Sequence, residues 1–269
     1  MDILALTDRV TSDGEPMSVD QTLINRFVLG CDVAKYSGRN TRRQADIQRD
    51  LELLAGNAAQ LAGLGLDRDV GAWDKQPTGD GFLLVLPPDA DGVRLVNRFP
   101  RELNTLLEIR NGDRVPEAQI RLRLAIHHDA LLPSDAWYAG PALIEIARLL
   151  DATPLRHALD SAAPAHLALI VSEQVFRSVV RSGLDGLTED DFAQVVVDHP
   201  AKDYRSVAYV HVPGKKAEAM SKALKAAVEE DQRQPSPGVA NDVRVKGDHN
   251  TIQTAGGSIY HVEGLGRAR

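Results

Sequence analysis

The clearest hydrophobic segment of the chain lies between residues 26 and 32. Phe27 to Cys31 is an almost unbroken apolar run, and Asp32 follows it directly. Such a run is typical of a strand that is buried on both faces. We therefore predict a buried strand that ends at Asp32. A carboxylate at the end of such a strand is more easily explained by a ligand than by packing.

A second apolar run follows a short glycine-rich segment, Thr78-Gly-Asp80-Gly. Gly79 and Gly81 leave the backbone free to form a tight turn. The run from Phe82 to Leu86 fits the returning strand of a hairpin. This pattern predicts that Asp80 lies at the tip of the hairpin.

The remaining pattern alternates helical and strand-like segments. Interleaved strands, helices and hairpins indicate an α+β fold, a ferredoxin-like sandwich with a central mixed or antiparallel sheet flanked by helices. The predicted elements are helices from about Thr41 to Leu64 and Gly92 to Ile109, a strand from Gln119 to His127, helices near Gly140 to Leu150 and Leu155 to Ser161, a strand from His166 to Val171, a helix from Glu173 to Arg181, and an antiparallel pair at Phe192 to Val197 and Tyr204 to Val212.

The character of the chain changes after residue 213. Met220, Leu224 and Val228 recur every four residues among helix formers, which predicts an amphipathic helix that packs on the domain or on a partner. The Pro- and Gly-containing segment 235–238 then interrupts regular structure, and short stretches of alternating apolar residues follow it. We predict a domain over residues 18–213, the helix over 214–234, and a linker with a β-prone or disordered tail over 235–269.

Composition places the chain among globular proteins with one substantial core. It has 269 residues, of which 43% are hydrophobic and 26% charged. The single cysteine, Cys31, lies in the predicted strand and is expected to be a small core residue. The formal net charge of −7 argues against a nucleic-acid binder. Without a signal peptide or a long apolar stretch, we expect a cytoplasmic protein that does not insert into membranes.

Asp32 and Asp80 are the strongest candidates for chemistry. Each could be an ordinary turn or cap residue, because aspartate is common in turns. Together they place two carboxylates at neighbouring strand ends. Hard cations such as Mg²⁺ prefer carboxylate oxygens and usually keep phosphate as a further ligand. The pair is therefore a candidate metal site beside a triphosphate.

Three arginines, Arg39, Arg42 and Arg43, lie at the start of the first predicted helix. Basic residues at a helix start oppose the dipole preference for acidic ones. They form either a solvated first turn or a surface near a triphosphate. His127 and His128 are consecutive on a strand, so their side chains point to opposite faces and we expect structural roles for both.

Four blocks in this order resemble the class III nucleotidyl cyclases, across residues 26 to 213. Their first metal-binding aspartate ends an apolar strand and precedes a short turn, and their second lies in a Gly-Asp hairpin. A later strand and a helix with a catalytic arginine follow. The matching segments here are Asp32-Val33-Ala34-Lys35-Tyr36-Ser37, Gly79-Asp80, Arg123-Leu-Ala-Ile-His127, and Gly140-Pro-Ala-Leu-Ile-Glu-Ile-Ala-Arg148.

The resemblance implies a homodimer whose two active sites lie at the interface. Asp32, Asp80 and the Val33 carbonyl are then expected to bind two ions of Mg²⁺ or Mn²⁺ per site. Arg148, supplied by the opposite protomer, is the implied catalytic arginine. The implied contacts to the triphosphate come from the turn that contains Tyr36 and Ser37, from Arg39, and from Lys202 before the last strand.

Departures from the family pattern bear on the substrate. Adenine-selective members carry lysine four residues before the second aspartate, where this chain has Gln76, with Lys75 one position away. The position of the transition-state asparagine holds Ile144. Asp135 is a candidate for contacting the base.

The missing lysine, the compact loop from Asp135 to Gly140 and the run from Ala147 to Arg156 are similar to the pyrimidine cyclases of the Pycsar anti-phage systems. The implied reaction converts UTP or CTP into a 3′,5′-cyclic monophosphate and pyrophosphate. The product is expected to activate a separately encoded effector. The alternatives are an adenylate or guanylate cyclase, and a catalytically silent cyclase-like domain that senses nucleotides or serves as a scaffold.

Overall fold

The structure, a computed structural model, describes residues 22–65, 73–134 and 137–233 and the short segments 254–255 and 258–259. The chain divides into two compact units, Met1–Glu230 and Asp231–Arg269. In the second unit, β9 (Thr254–Ala255) and β10 (Ser258–Ile259) pair in antiparallel orientation. The rest of the predicted tail lies outside the described residues, and the predicted domain boundaries stay a prediction.

One mixed sheet forms the centre of the first unit. Its strand order is β2-β3-β1-β4-β6-β8-β7, with β5 paired to β4. All pairs are antiparallel except β4 with β6, which is parallel. The strands are β1 (Ile24–Val33), β2 (Asp74–Pro77), β3 (Gly81–Val85), β4 (Leu122–Pro133), β5 (Tyr138–Ala139), β6 (Leu167–Ser172), β7 (Ala193–His199) and β8 (Tyr204–His211).

Helices flank this sheet. The α-helices are α1 (Thr41–Leu61), α2 (Gly92–Val96), α3 (Arg98–Asn111), α4 (Pro141–Leu150), α5 (Thr153–Asp160), α6 (Glu173–Ser178) and α7 (Ala217–Arg233). Short 3₁₀ helices lie at Pro116–Ala118, Val180–Ser182, Leu184–Gly186, Glu189–Asp191 and Pro200–Lys202. Among the described residues, no helix is both long and apolar enough to cross a membrane.

Two apolar clusters fill the space on the two faces of the sheet. α1, α2, α3 and α6 cover one face together with Leu29, Cys31 and Val33 of β1. α4, α5 and the start of α7 cover the other face, which Val28 joins from β1. This alternation along β1 is the period of two that a strand imposes on its side chains. The predicted α+β class, with a mixed sheet flanked by helices, is confirmed.

α4 packs directly on β1 because Gly30 has no side chain. A Cβ atom at this position would lie 2.6 Å from Leu150 Cδ1 and 2.7 Å from Ile146 Cγ2. Gly30 alternates with Cys31, so it faces the second cluster. The helix that carries Arg148 therefore rests on the strand that carries Asp32.

Two predicted elements differ from the structure. The helix predicted from Gly92 to Ile109 is two helices that meet at Asn97, whose side-chain amide donates to the carbonyl of Asp185. The strand predicted from 119 to 127 instead runs over Leu122–Pro133, because β1 pairs with it as far as Leu131. Both differences come from contacts between residues far apart in the sequence.

Candidate active site

Strand pairing brings Asp32 and Asp80 together at one end of the sheet. β1 and β3 are antiparallel, and Asp32 lies opposite Gly81. The pairing continues into the turn, where the Val33 amide donates to the Asp80 carbonyl at 3.0 Å. The two aspartates are therefore neighbours across two strands, although 48 positions separate them in the printed sequence.

The turn around Asp80 depends on glycine at both flanking positions. Gly79 has a φ of +87°, a conformation that other residues rarely adopt. A Cβ atom on Gly81 would lie 1.8 Å from the Cys31 carbonyl oxygen. Gln48 of α1 also donates to the Gly79 carbonyl. Asp80 is thus held at a defined place on the hairpin tip.

Asp32 forms an ion pair with Arg123, which lies opposite it on β4. Arg123 Nε donates to Asp32 Oδ1 at 2.7 Å, and both side chains are about 15% exposed or less. Arg123 was part of the quoted β4 motif, but the sequence did not assign it a role in the site. The sequence feature that could have indicated this role is an arginine within a strand that pairs with the strand of Asp32.

The surroundings of Asp32 disfavour the charged form of its carboxyl group. Burial raises the pKa of Asp32 to about 6, against the opposing effect of Arg123. The nearby Asp80 charge raises this pKa further, whereas Arg156 of α5 lowers it. Asp32 thus has a charged partner on one side and a second carboxylate on the other.

This donor set fits a divalent cation that keeps other ligands. In the described parts of the chain, no group of three or more His, Cys, Asp and Glu side chains is placed to hold a metal ion. Two adjacent carboxylates fit Mg²⁺ or Mn²⁺, because such ions commonly bind one or two protein carboxylates and take phosphate and water oxygens for the rest. The Val33 carbonyl belongs to the same strand end.

The turn after Asp32 is fixed by its own contacts. The Ala34 amide donates to the Arg121 carbonyl at 2.9 Å and is thus not free to contact phosphate. Tyr36 is part-buried and donates to the Gln44 carbonyl, whereas Ser37 is exposed.

Arg39 closes the same turn against the neighbouring loop. Its Nη2 donates to the Gln119 carbonyl at 2.8 Å. Arg39 Nη1 is buried and has no hydrogen-bond partner among the described residues. One of its two terminal nitrogens is thus engaged and the other is not.

Gln76 and Lys75 of β2 face opposite sides of the sheet. Gln76 pairs with Leu83, which shares the face of Gly30 and Asp32. Lys75 pairs with Leu84 and forms an ion pair with Glu52 of α1 on the other face. The polar side chain that precedes Asp80 on the Asp32 face is therefore Gln76.

Arg148 and Lys202 lie elsewhere in the fold. Arg148 Cζ is 4.2 Å from the centre of the Tyr204 ring, and its carbonyl contacts His199 Nε2 at 2.9 Å. Arg148 Nε is buried without a hydrogen-bond partner in the described chain. Lys202 is exposed, two residues before Tyr204.

The strand register gives the distance between Asp32 and Tyr204, the residue on which Arg148 stacks. Asp32 is level with Arg123 and Ala168, and the β6–β8 pairing places residue 212 at the same level. Tyr204 is eight residues from that level, about 26 Å along the strand. It is also three strands away, roughly 14 Å. Lys202, two residues before Tyr204, is therefore distant from the aspartates within one chain, and the Arg148 guanidinium is stacked on Tyr204.

Three further predicted positions have different outcomes. Ile144 on α4 is 55% exposed. Asp135 lies outside the described residues. His127 is buried and its Nδ1 contacts the Ser172 hydroxyl at 2.8 Å, as expected for a structural histidine.

Several solved structures that are similar to this chain are named as nucleotide cyclases. They include the adenylate/guanylate cyclase/hydrolase from Silicibacter pomeroyi, with a TM-score of 0.48 and 18% identity over 72% of this chain and 99% of that chain. The guanylyl cyclase Cya2 has a TM-score of 0.47 and 10% identity over 71% of this chain and 93% of that chain. A bacterial light-regulated adenylyl cyclase has a TM-score of 0.48 and 11% identity over 80% of this chain and 61% of that chain.

No protein-family model and no curated protein sequence matches the chain. At these identities and TM-scores, the similar structures assign no activity or substrate to it.

Proposed function

We propose that the protein is a metal-dependent nucleotidyl cyclase. The observation that carries this proposal is the β1–β3 register, which places Asp32 and Asp80 side by side at the end of two strands. The family motifs quoted from the sequence fall on these same elements. A scaffold has no need to keep two carboxylates together, because each disfavours the charged form of the other.

The reaction joins the ribose 3′-oxygen to the α-phosphorus and breaks the bond to the β-phosphate, so that pyrophosphate leaves and the 3′-hydroxyl loses its proton. Two bound Mg²⁺ or Mn²⁺ ions would supply activation of the 3′-hydroxyl and neutralisation of the triphosphate. Asp32, Asp80 and the Val33 carbonyl would hold these ions. Arg123, already beside Asp32, donates to phosphate oxygens, as guanidinium groups commonly do.

A second copy of the chain completes the site. Within one protomer the Arg148 guanidinium stacks on Tyr204 instead of contacting Asp32, so the partner of a homodimer supplies this arginine. Stacking on Tyr204 orients its guanidinium, and the unpartnered Nε leaves a donor for a phosphoryl oxygen. Lys202, close in sequence to Tyr204, contacts the triphosphate from the same side.

A pyrimidine triphosphate, UTP or CTP, is the proposed substrate. Gln76 lies on the Asp32 face and can both donate and accept hydrogen bonds, whereas lysine only donates. Asp135 is the second proposed contact to the base. Tyr36, Ser37 and Arg39 border the triphosphate of this substrate. The protein acts in the cytoplasm, where its cyclic product activates a separate effector in anti-phage defence.

Two alternatives are an adenylate or guanylate cyclase and a catalytically silent domain. An adenylate cyclase would need another residue in place of the missing lysine. A catalytically silent nucleotide-sensing domain is favoured by Ile144 at the asparagine position and by the Arg123–Asp32 ion pair, which already occupies one carboxylate.

Incubation of the purified protein with each of the four ribonucleoside triphosphates and Mg²⁺ or Mn²⁺, followed by mass identification of products, tests the proposal. We expect cyclic UMP or cyclic CMP from the native protein and less than a few per cent of its rate from Asp32→Asn and Asp80→Asn. Asp113→Asn, at an exposed site, is the control. A larger kcat/KM with ATP or GTP would overturn the pyrimidine assignment, and no cyclic product would support the silent domain.

A further inference from the structure

A basic hollow lies where the start of α1 meets the end of α3. It has a volume of about 300 Å³, and its charged and polar lining includes Asn40, Arg42, Arg43, Arg110, Arg114 and Asp46. A neighbouring hollow of about 590 Å³ shares Asn40 and Arg43 with it and adds Lys35, Arg39 and Glu117. Basic side chains outnumber acidic ones across both hollows, in a chain whose net charge is −7.

The charges in the hollow are only partly compensated. Arg110 is engaged with Asp50 at 2.9 Å, and the more distant Arg114 reaches the same carboxylate at 4.0 Å. Asp46 is paired with Arg49, at 3.5 Å. In the described residues, the side chains of Arg42 and Arg43 form no hydrogen bond or ion pair.

The position of Arg42 and Arg43 at the start of a helix is unfavourable for positive charges. Arg42 and Arg43 are the second and third residues of a 21-residue helix whose first turn has no acidic residue. The positive end of the helix dipole repels cations there. Burial lowers the pKa of Arg39, and the like charges of Arg110 and Arg43 lower it further.

The first hollow, which Arg42 and Arg43 line, is distinct from the Asp32 site, whereas Arg39 lines only the neighbouring hollow. α1 and α3 cover the face of the sheet that holds Cys31 and Val33. Asp32 alternates with these residues and points to the opposite face, towards Arg156 of α5. A triphosphate bound at Asp32 therefore does not account for Arg42 and Arg43.

We propose that this hollow is a second anion site, which binds a compact oligophosphate, either inorganic or as part of a nucleotide. Its volume is that of a small-ligand pocket. Guanidinium groups are suited to phosphate because their donors form a fixed fork. The acidic residues Asp46 and Glu117 border the basic surface, so it forms a pocket rather than the extended stripe that a nucleic-acid backbone requires.

Calorimetric titration with inorganic tripolyphosphate in metal-free buffer tests the proposal. We expect one binding site per chain. The Arg42→Ala/Arg43→Ala variant should bind about 10-fold more weakly or worse, the effect of losing about 1.4 kcal/mol of charge-assisted contacts. Both side chains are exposed, so the fold should persist, and Arg42→Lys/Arg43→Lys should keep more of the affinity than the alanine pair.

Two controls separate this site from general charge effects and from catalysis. Arg177→Ala/Arg181→Ala removes the same charge from exposed positions near α6 and should leave binding unchanged. Asp32→Asn should also retain it. A nucleoside triphosphate that binds equally through Arg42 and Arg43 indicates phosphate recognition alone, and tighter binding through the same two arginines indicates a nucleotide; both support the proposal.

Three results would overturn it: no binding of tripolyphosphate to the native protein, equal losses in both alanine pairs, or tighter binding of a DNA duplex through the same two arginines.

Discussion

Asp32 carries its charge in surroundings that resist it. The side chain is 14% exposed, and burial outweighs the favourable contact with Arg123. Buried carboxylates with a raised pKa and a neighbouring like charge are common at functional sites. We therefore expect the charged Asp32 side chain to lower the free energy of unfolding of the metal-free protein.

We expect Asp32→Asn to stabilise the metal-free protein at pH 7 by about 3 kcal/mol, because the pKa rises from 3.8 to about 6 on folding. The folded state then holds the proton more tightly than the unfolded state. The free energy of unfolding contributed by Asp32 is highest below pH 4 and falls as the pH rises towards 6. Asparagine still accepts a hydrogen bond from Arg123.

Urea unfolding of both proteins between pH 4 and pH 7, with a chelator present, measures this difference. Asp113→Asn should follow the native profile. Equal stability of Asp32→Asn and the native protein at pH 7 would contradict the assigned environment.

At the scale of elements, the β2–β3 hairpin positions Asp80 through its backbone. The close approach of Gly81 to Cys31 allows β3 to pair with β1 up to the turn, and the Val33–Asp80 hydrogen bond continues that pairing. Any side chain at residue 81 must push the two strands apart. The geometry of the proposed metal site thus depends on a missing methyl group.

Gly81→Ala should therefore lose nearly all turnover and destabilise the protein by roughly 2–4 kcal/mol. Gly56→Ala is the matched control, because a Cβ atom there meets nothing within 4 Å in the middle of α1. We expect it to stabilise the protein by about 0.5–1 kcal/mol and to leave turnover unchanged. Thermal unfolding and initial rates provide both readouts, and normal activity in Gly81→Ala would refute the role given to this turn.

Local pattern was sufficient for some elements and not for others. The apolar run that ends at Asp32 and the glycines around Asp80 predicted β1 and the hairpin, because burial and turn chemistry are written in consecutive residues. The helix break at Asn97 was missed because its side chain bonds to Asp185, 88 positions away. The Arg123–Asp32 ion pair was missed for the same reason, since the register of β1 against β4 is not a local property.

At the scale of the whole molecule, the proposed catalytic groups form two separate halves. The aspartates lie at one end of the sheet, whereas the Arg148 guanidinium stacks on Tyr204 at the start of β8, close in sequence to Lys202. The sequence motifs named the members of both halves. Their distance within one chain could be obtained only from the register of four successive strands.

Mixing two inactive variants tests whether two chains share a site. Asp80→Ala lacks one half and Arg148→Ala the other, so a mixed dimer has one site with both halves intact. We expect the mixture to recover up to roughly a quarter of native activity, because half of the dimers are mixed and each has one of two sites.

A mixture of Asp32→Ala and Asp80→Ala, which damage the same half, should remain inactive. Failure of the first pair to recover activity, with subunit exchange demonstrated by native mass spectrometry, would exclude a catalytic Arg148 from the partner.

The absence of a side chain at Gly30 has a consequence for such a dimer. Through this contact, the strand with Asp32 touches the helix with Arg148 in the same chain. In the proposed assembly, that aspartate serves one site and that arginine serves the other. Tightly packed elements transmit displacements rather than absorb them. Substrate arriving at one site thus shifts a catalytic group of the other, and turnover should depend cooperatively on substrate concentration.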